Sequence, residues 1–440
     1  MTFPGSTRLD PHTGRARIGR PAPLPRWPSW FLLGWWILAL GIVDLPGGAG
    51  TAGAAVEEGS LTRTILVLTF GAAGALRFPD AIKKLDQAGW RLLTLLAAYL
   101  AWASLSFVWS ESPPLTIRRL VLATMLVVGA VGLGAGYYGQ SETGRGLLAR
   151  DALVAGVIAG ASVWIPTLLS GGTDVLAGDW ALLPVAVGTA IGYPMLLAGL
   201  VSIYGRHTSA IPNPFASRRS QAVVLMGVLT TIISLRKRAL LAVTLLATTF
   251  LSFVFRRRAR GQMLVRLGLG LATASIVIWL LGIDVVGTAT PIFLRGEQTV
   301  DLETLTGRVP LWEELMPLAS ENLFTGVGFG AFWTPLRMAE IEAAVQWPAV
   351  VAHSGYIDEV LATGLPGLVL LFGALIAATT TLGRRARQGD GFALLAAVWM
   401  GCYLLLNVTA TLTQNLFQFP FYSALILAFA ALTRPSGIDS

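Results

Sequence analysis

Apolar runs long enough to cross a bilayer recur along nearly the whole chain, and they constrain its fold more than any other feature. A hydrocarbon core of about 30 Å takes roughly 17 to 25 residues of helix, and only helices or closed barrels satisfy the backbone there. Twelve runs qualify, over 30–46, 61–78, 89–109, 115–138, 150–170, 180–204, 220–235, 239–255, 264–286, 356–382, 392–411 and 415–433. A chain that is 54% hydrophobic and 13% charged, with a mean hydropathy of +0.67, is not a soluble globular domain. The expected fold class is an all-α polytopic membrane protein of about twelve transmembrane helices.

Counting cations in alternate loops orients these helices. With the N-terminus inside, twenty-three of the thirty-two Lys and Arg residues fall in cytoplasmic segments, which predicts both termini in the cytoplasm. The expected organisation is a Pro- and Arg-rich cytoplasmic tail over 1–29, nine transmembrane helices over 30–286, a long periplasmic loop over 287–355, three helices over 356–433 and a short tail over 434–440. The run from Trp30 to Leu45 resembles a signal peptide, but its basic leader is long and further spans follow, so it reads as an uncleaved first helix. Cys402, the single cysteine, lies in an apolar run, which excludes an intramolecular disulfide and a cysteine-based zinc or iron–sulfur site. The excess of Arg serves topology, and no aromatic-interleaved basic stripe points to nucleic acid.

Nine cations break the pattern: Arg63, Arg118, Arg119, Arg236, Lys237, Arg238, Arg295, Arg308 and Arg337. Arg236, Lys237 and Arg238 interrupt the apolar stretch Gln221 to Phe255, which as one helix would be about 52 Å long, too long for a single crossing. The chain therefore turns back there, and three cations land on the outer face. Either this is an ordinary polar turn or it is an anion site at the outer interface, with Arg236 and Arg238 projecting to the same side.

The long outer loop holds most of the remaining chemistry. Leu311, Trp312, Leu315, Leu318 and Ala319 recur at helical spacing and predict a short amphipathic helix lying on the bilayer or on neighbouring spans. Arg308 falls within that apolar stripe and is expected to point inward, toward an anion. His353 ends the loop, where an imidazole suits proton transfer at neutral pH, although a hydrogen-bonded loop histidine is the plainer alternative. Tyr356 and Ile357 are expected on its helix face, and the acids Asp358 and Glu359 need cations, with Arg236, Arg238 or Arg337 as candidates. "GVGFG", Gly326 to Gly330, lacks the setting of a nucleotide-binding loop and reads as backbone flexibility or close approach to a glycan. "DLE" at Asp301 to Glu303 reads as solvated surface rather than a metal site.

"TGRVPLWEELMPLASENLFTGVGFGAFW" followed by "HSGYIDEVLATGLPG", after the basic hairpin "SLRKRALL", resembles the O-antigen ligase and polymerase superfamily of bacterial envelopes, which includes exopolysaccharide polymerases. The resemblance implies a bacterial inner-membrane enzyme that transfers a glycan from an undecaprenyl diphosphate to a sugar hydroxyl at the periplasmic face. It places the family's hairpin arginine on Arg238, with Arg236 beside it, its Gly-Arg motif on Gly307 and Arg308, and its loop-ending histidine on His353. Many relatives carry Asn where this chain has Ser354. No metal or other cofactor is expected; Arg236, Arg238 and Arg308 would neutralise the diphosphate and His353 would act as general base. The implied partners are the lipid-linked donor, a glycan or lipid A core acceptor, the bilayer, and a chain-length regulator or export partner. A transporter or flippase without bond formation is the alternative, against which stand the lack of visible repeats and a site away from the midplane.

Overall fold

The computed structural model describes residues 28, 30–32, 34, 35, 61–152, 308–408 and 419–434. The spans expected over 180–204, 220–235, 239–255 and 264–286, nearly all of 150–170, the basic hairpin and Gly307 lie outside the described residues. The described residues are mostly helical, with no strand among them. In chain order the helices are α1 (Leu61–Ala75), α2 (Phe78–Lys84), α3 (Gln87–Leu105), α4 (Pro113–Gly134), α5 (Arg308–Glu321), α6 (Pro335–Val345), α7 (Gly355–Arg387), α8 (Gly391–Leu406) and α9 (Phe419–Ala431).

Among the described residues three stretches are long and apolar enough to cross a membrane: Gln87–Val108, Pro113–Gln140 and Gly355–Arg387. They correspond to the spans expected over 89–109, 115–138 and 356–382. The span expected over 61–78 ends earlier, at Ala75, and reaches crossing length only together with α2, from which it is bent by 59°. Arg77 sits at that bend and Pro79 opens α2, so the basic segment between the spans expected over 61–78 and 89–109 is largely helical. The runs over 392–411 and 415–433 form the shorter apolar helices α8 and α9.

Small residues decide how α1 meets α4. A side chain at Gly74 would strike the backbone of Gly129, and one at Gly132 would strike the backbone of Gly74, so the two backbones lie in direct contact. Alongside them, α3 buries Leu92, Leu96, Tyr99 and Ala103 along one stripe, and α7 packs on α3 and α8.

One end of the bundle is knotted by charge. Asp86 caps α3, accepting from Ala88 N at 2.8 Å and Gly89 N at 2.9 Å, and also pairs with Arg385 from the last turn of α7. Arg145 donates to the Ala430 and Thr433 carbonyls at 3.2 and 3.0 Å, and Arg385 to that of Ala431 at 2.9 Å. These cations satisfy the open carbonyls at the C-terminus of α9, where the helix dipole favours positive charge. The C-terminus of α3 and the N-termini of α4 and α7 lie at the other end, together with residues 308–354.

Candidate functional site

Residues 308–354 build a second, smaller core on the first turns of α7. Leu311, Leu315 and Ala319 of α5 are buried with Met338 and Ile341 of α6, and Ile357, Val360 and Leu361 of α7 complete the cluster. The amphipathic stripe expected from the sequence therefore packs on a neighbouring span. Pro317 does not end the helix, which continues to Glu321.

Arg308 opens α5, half-buried, on the same face as Leu311 and Trp312. Burial lowers its affinity for a proton from the usual guanidinium range, although an arginine stays charged at neutral pH. Among the described residues no side chain hydrogen-bonds or ion-pairs with it. A partly desolvated cation with no counter-charge among the described residues is a group that an incoming anion would stabilise.

One turn along, the Trp312 indole donates to the carbonyl of Ala352 at 2.7 Å. That bond draws the start of α5 against the residue preceding His353, so Arg308 and His353 share one end of the bundle. His353 does not lie on a helix, as its expected shared face with Tyr356 and Ile357 requires. It adopts the left-handed conformation, φ 53°, one residue ahead of the N-cap Ser354, and its ring lies 5.5 Å from that of Trp347. A non-glycine residue there carries about 1 to 2 kcal/mol of backbone strain and persists only when its surroundings hold it. The backbone is fixed on both sides: Gly355 N donates to the Asn407 carbonyl at 2.8 Å, and Ala352 N to the buried Asp358 carboxylate at 3.1 and 3.2 Å.

The other supporting candidates have defined places. Tyr356 turns into the transmembrane core, stacked on Phe372 with its hydroxyl donating to the Leu404 carbonyl at 2.9 Å. Arg337 is not the partner of Asp358 or Glu359. It grips Glu111 through both guanidinium nitrogens at 2.8 and 2.9 Å and lies over the ring of Phe332. Asp358 instead accepts from the Trp333 indole at 2.7 Å and acts electrostatically on Arg119 of α4. Glu359, fully buried, accepts hydrogen bonds from the hydroxyls of Thr363 and Tyr99.

Arg119 is the site residue that reading for motifs missed. It carried a signal nonetheless, being one of the nine cations on the side opposite to the topology rule.

The glycine-rich stretch makes its close approach to the protein itself. Gly326, Gly328 and Gly330 have φ values of 62°, 112° and 69°, and side chains there would strike the Ala362 carbonyl, Ser110 and Arg119 respectively. The stretch repairs a break in α7. Pro366 has no N–H to offer Ala362, whose carbonyl accepts from Gly328 N at 3.0 Å. At Gly364 the helix is interrupted, so Leu365 N donates to Leu323 at 2.8 Å while the Leu361 carbonyl takes Val327 N at 3.0 Å. Gly326→Ala is expected to cost about 2 to 4 kcal/mol through strain and backbone collision, read as a lowered unfolding midpoint in detergent. An unchanged midpoint would contradict this packing.

Residues 222–372 match the family model described as O-antigen ligase. The chain carries an O-antigen ligase domain. The matched segment runs from the start of the basic hairpin region through the glycine-rich stretch and His353 into α7. A search of curated proteins finds no match to the chain. The O-antigen ligase domain thus includes Arg308, His353, Asp358 and the break in α7, whereas Arg119, which feels the charge of Asp358, comes from outside it. Together with the apolar helices, it marks a membrane enzyme of the glycosyltransferase kind, acting between a lipid-linked glycan and an acceptor.

Proposed function

We propose that the chain transfers a glycan from undecaprenyl diphosphate to an acceptor sugar hydroxyl at the periplasmic face of the bacterial inner membrane. The observation that carries this reading is Arg308: a half-buried guanidinium, partly desolvated and unpaired among the described residues, one turn from Trp312, whose indole bonds to the residue before His353. As the glycosidic bond to phosphate breaks, negative charge grows on the leaving diphosphate, and a fixed guanidinium in a dry setting stabilises it. His353 takes the proton of the attacking hydroxyl, and the acceptor oxygen joins the anomeric carbon, with inversion in a single displacement. Arg236 and Arg238 supply further charge from the hairpin, and no metal takes part.

The charge on the two ends of the bundle supports a topology with both termini inside. The end that gathers Lys83, Lys84, Arg145, Arg385 and Arg434 faces the cytoplasm, as do both termini, and the end carrying residues 308–354 faces the periplasm.

Purified protein is tested with a synthetic lipid-diphosphate oligosaccharide, with products resolved by size. A ladder of longer lipid-linked glycans means a polymerase, and transfer that requires lipid A core means a ligase. Absence of any new bond with every acceptor would favour transport instead. Chelation is expected to leave the rate unchanged, and its loss on adding EDTA would overturn the metal-free reading.

A further inference from the structure

We propose that Asp358 is a positioning residue that sets the conformation of His353. The proposal rests on the reading of His353 as the general base. Asp358 is 2% exposed, and both carboxylate oxygens face the backbone N–H of Ala352, at 3.1 and 3.2 Å. Its own N–H donates to the Ser354 carbonyl at 3.0 Å. One side chain thus ties the residue before His353 to the first turn of α7, while the main chain of that turn binds the residue after it. The chain between these ties is short, and it is at His353 that φ becomes positive.

The carboxylate is itself fixed. The Trp333 indole donates to it at 2.7 Å, and Arg119 of α4 adds an opposing charge from a different part of the chain. Arg119 is in turn seated against Gly330, where a side chain would strike its Cδ. An ionised carboxylate accepts from the amide more strongly than a neutral acceptor would. From the other side, the Trp312 indole holds the Ala352 carbonyl. The amide N–H and the carbonyl of Ala352 are thus both bound, which fixes the two peptide groups that flank this residue, and the imidazole that follows is aimed by them.

The test compares Asp358→Asn, Trp312→Phe and His353→Gly, each measured as turnover per folded molecule in detergent. Asp358→Asn preserves shape but loses the charge and one acceptor oxygen. Its kcat should fall about 10- to 100-fold with donor KM changed by less than about threefold, since a base displaced by about 1 Å loses that much rate. Trp312→Phe keeps an aromatic filler and removes the second tie, so its kcat should also fall with KM preserved. In a His353→Gly background, Asp358→Asn should lower the residual rate no further.

Wild-type kcat in both Asp358→Asn and Trp312→Phe would overturn the proposal. So would an equal additional loss from Asp358→Asn on top of His353→Gly. Full activity in His353→Gly alone would overturn the base assignment, a result distinct from a fully active Asp358→Asn beside an inactive His353→Gly.

Discussion

Arg308→Met is expected to lower kcat/KM for the lipid-diphosphate donor about 100- to 1000-fold while leaving the protein at least as stable as the wild type. The two halves of this expectation have one cause. Burying the guanidinium removes water from a charge that no described side chain pairs with, and that costs folding free energy. Methionine fills the same stretch of α5 with an unbranched apolar chain beside Leu311 and Trp312, so the fold gains what the charge was costing. On the proposed mechanism the site loses the group that meets the diphosphate, and one such donor is typically worth about 100- to 1000-fold in rate. Steady-state kinetics and thermal unfolding of the same preparation check both halves. A destabilised protein with unaltered kcat/KM would show Arg308 to be structural.

His353→Gly is expected to reduce kcat by about 100- to 10,000-fold with little change in the unfolding midpoint. Removing a general base costs a rate factor of this size. Glycine is the informative replacement because it adopts φ 53° without strain, so the turn between Ala352 and Ser354 keeps its shape. The contact of the ring with Trp347 is lost, which is a small effect beside the relief of backbone strain. A loss of activity then reports the missing imidazole rather than a collapsed loop. Retained activity would remove His353 from the chemistry.

Much of this site could be read from the sequence where a periodic pattern governed the outcome. The stripe of Leu311, Trp312, Leu315 and Ala319 specified α5 and the side of it on which Arg308 lies, because helix geometry alone relates those positions. The crossing helices α3, α4 and α7 were legible from the length of their apolar runs. What escaped was set by contacts distant in sequence. The left-handed turn at His353 depends on Trp312, Asp358 and Asn407, none of them its neighbour in the chain. Arg119 belongs to an apolar span that shows no motif, and only its place on the unexpected side of the membrane set it apart. The glycines from 326 to 330 were recognisable as a close approach, but what they approach is the break in α7 that Gly364 and Pro366 create.

The central claim is that the end of the bundle bearing Arg308 and His353 makes a glycosidic bond at the expense of a lipid diphosphate. It is tested most directly by incubating the purified protein with a radiolabelled lipid-diphosphate oligosaccharide and acceptor, and following label and free lipid diphosphate together. The account predicts that label reaches the acceptor and lipid diphosphate is released in equal amounts with wild-type protein, and that both are nearly abolished in Arg308→Met and His353→Gly. Equal rates in all three proteins, or movement of the intact donor without release of lipid diphosphate, would contradict it.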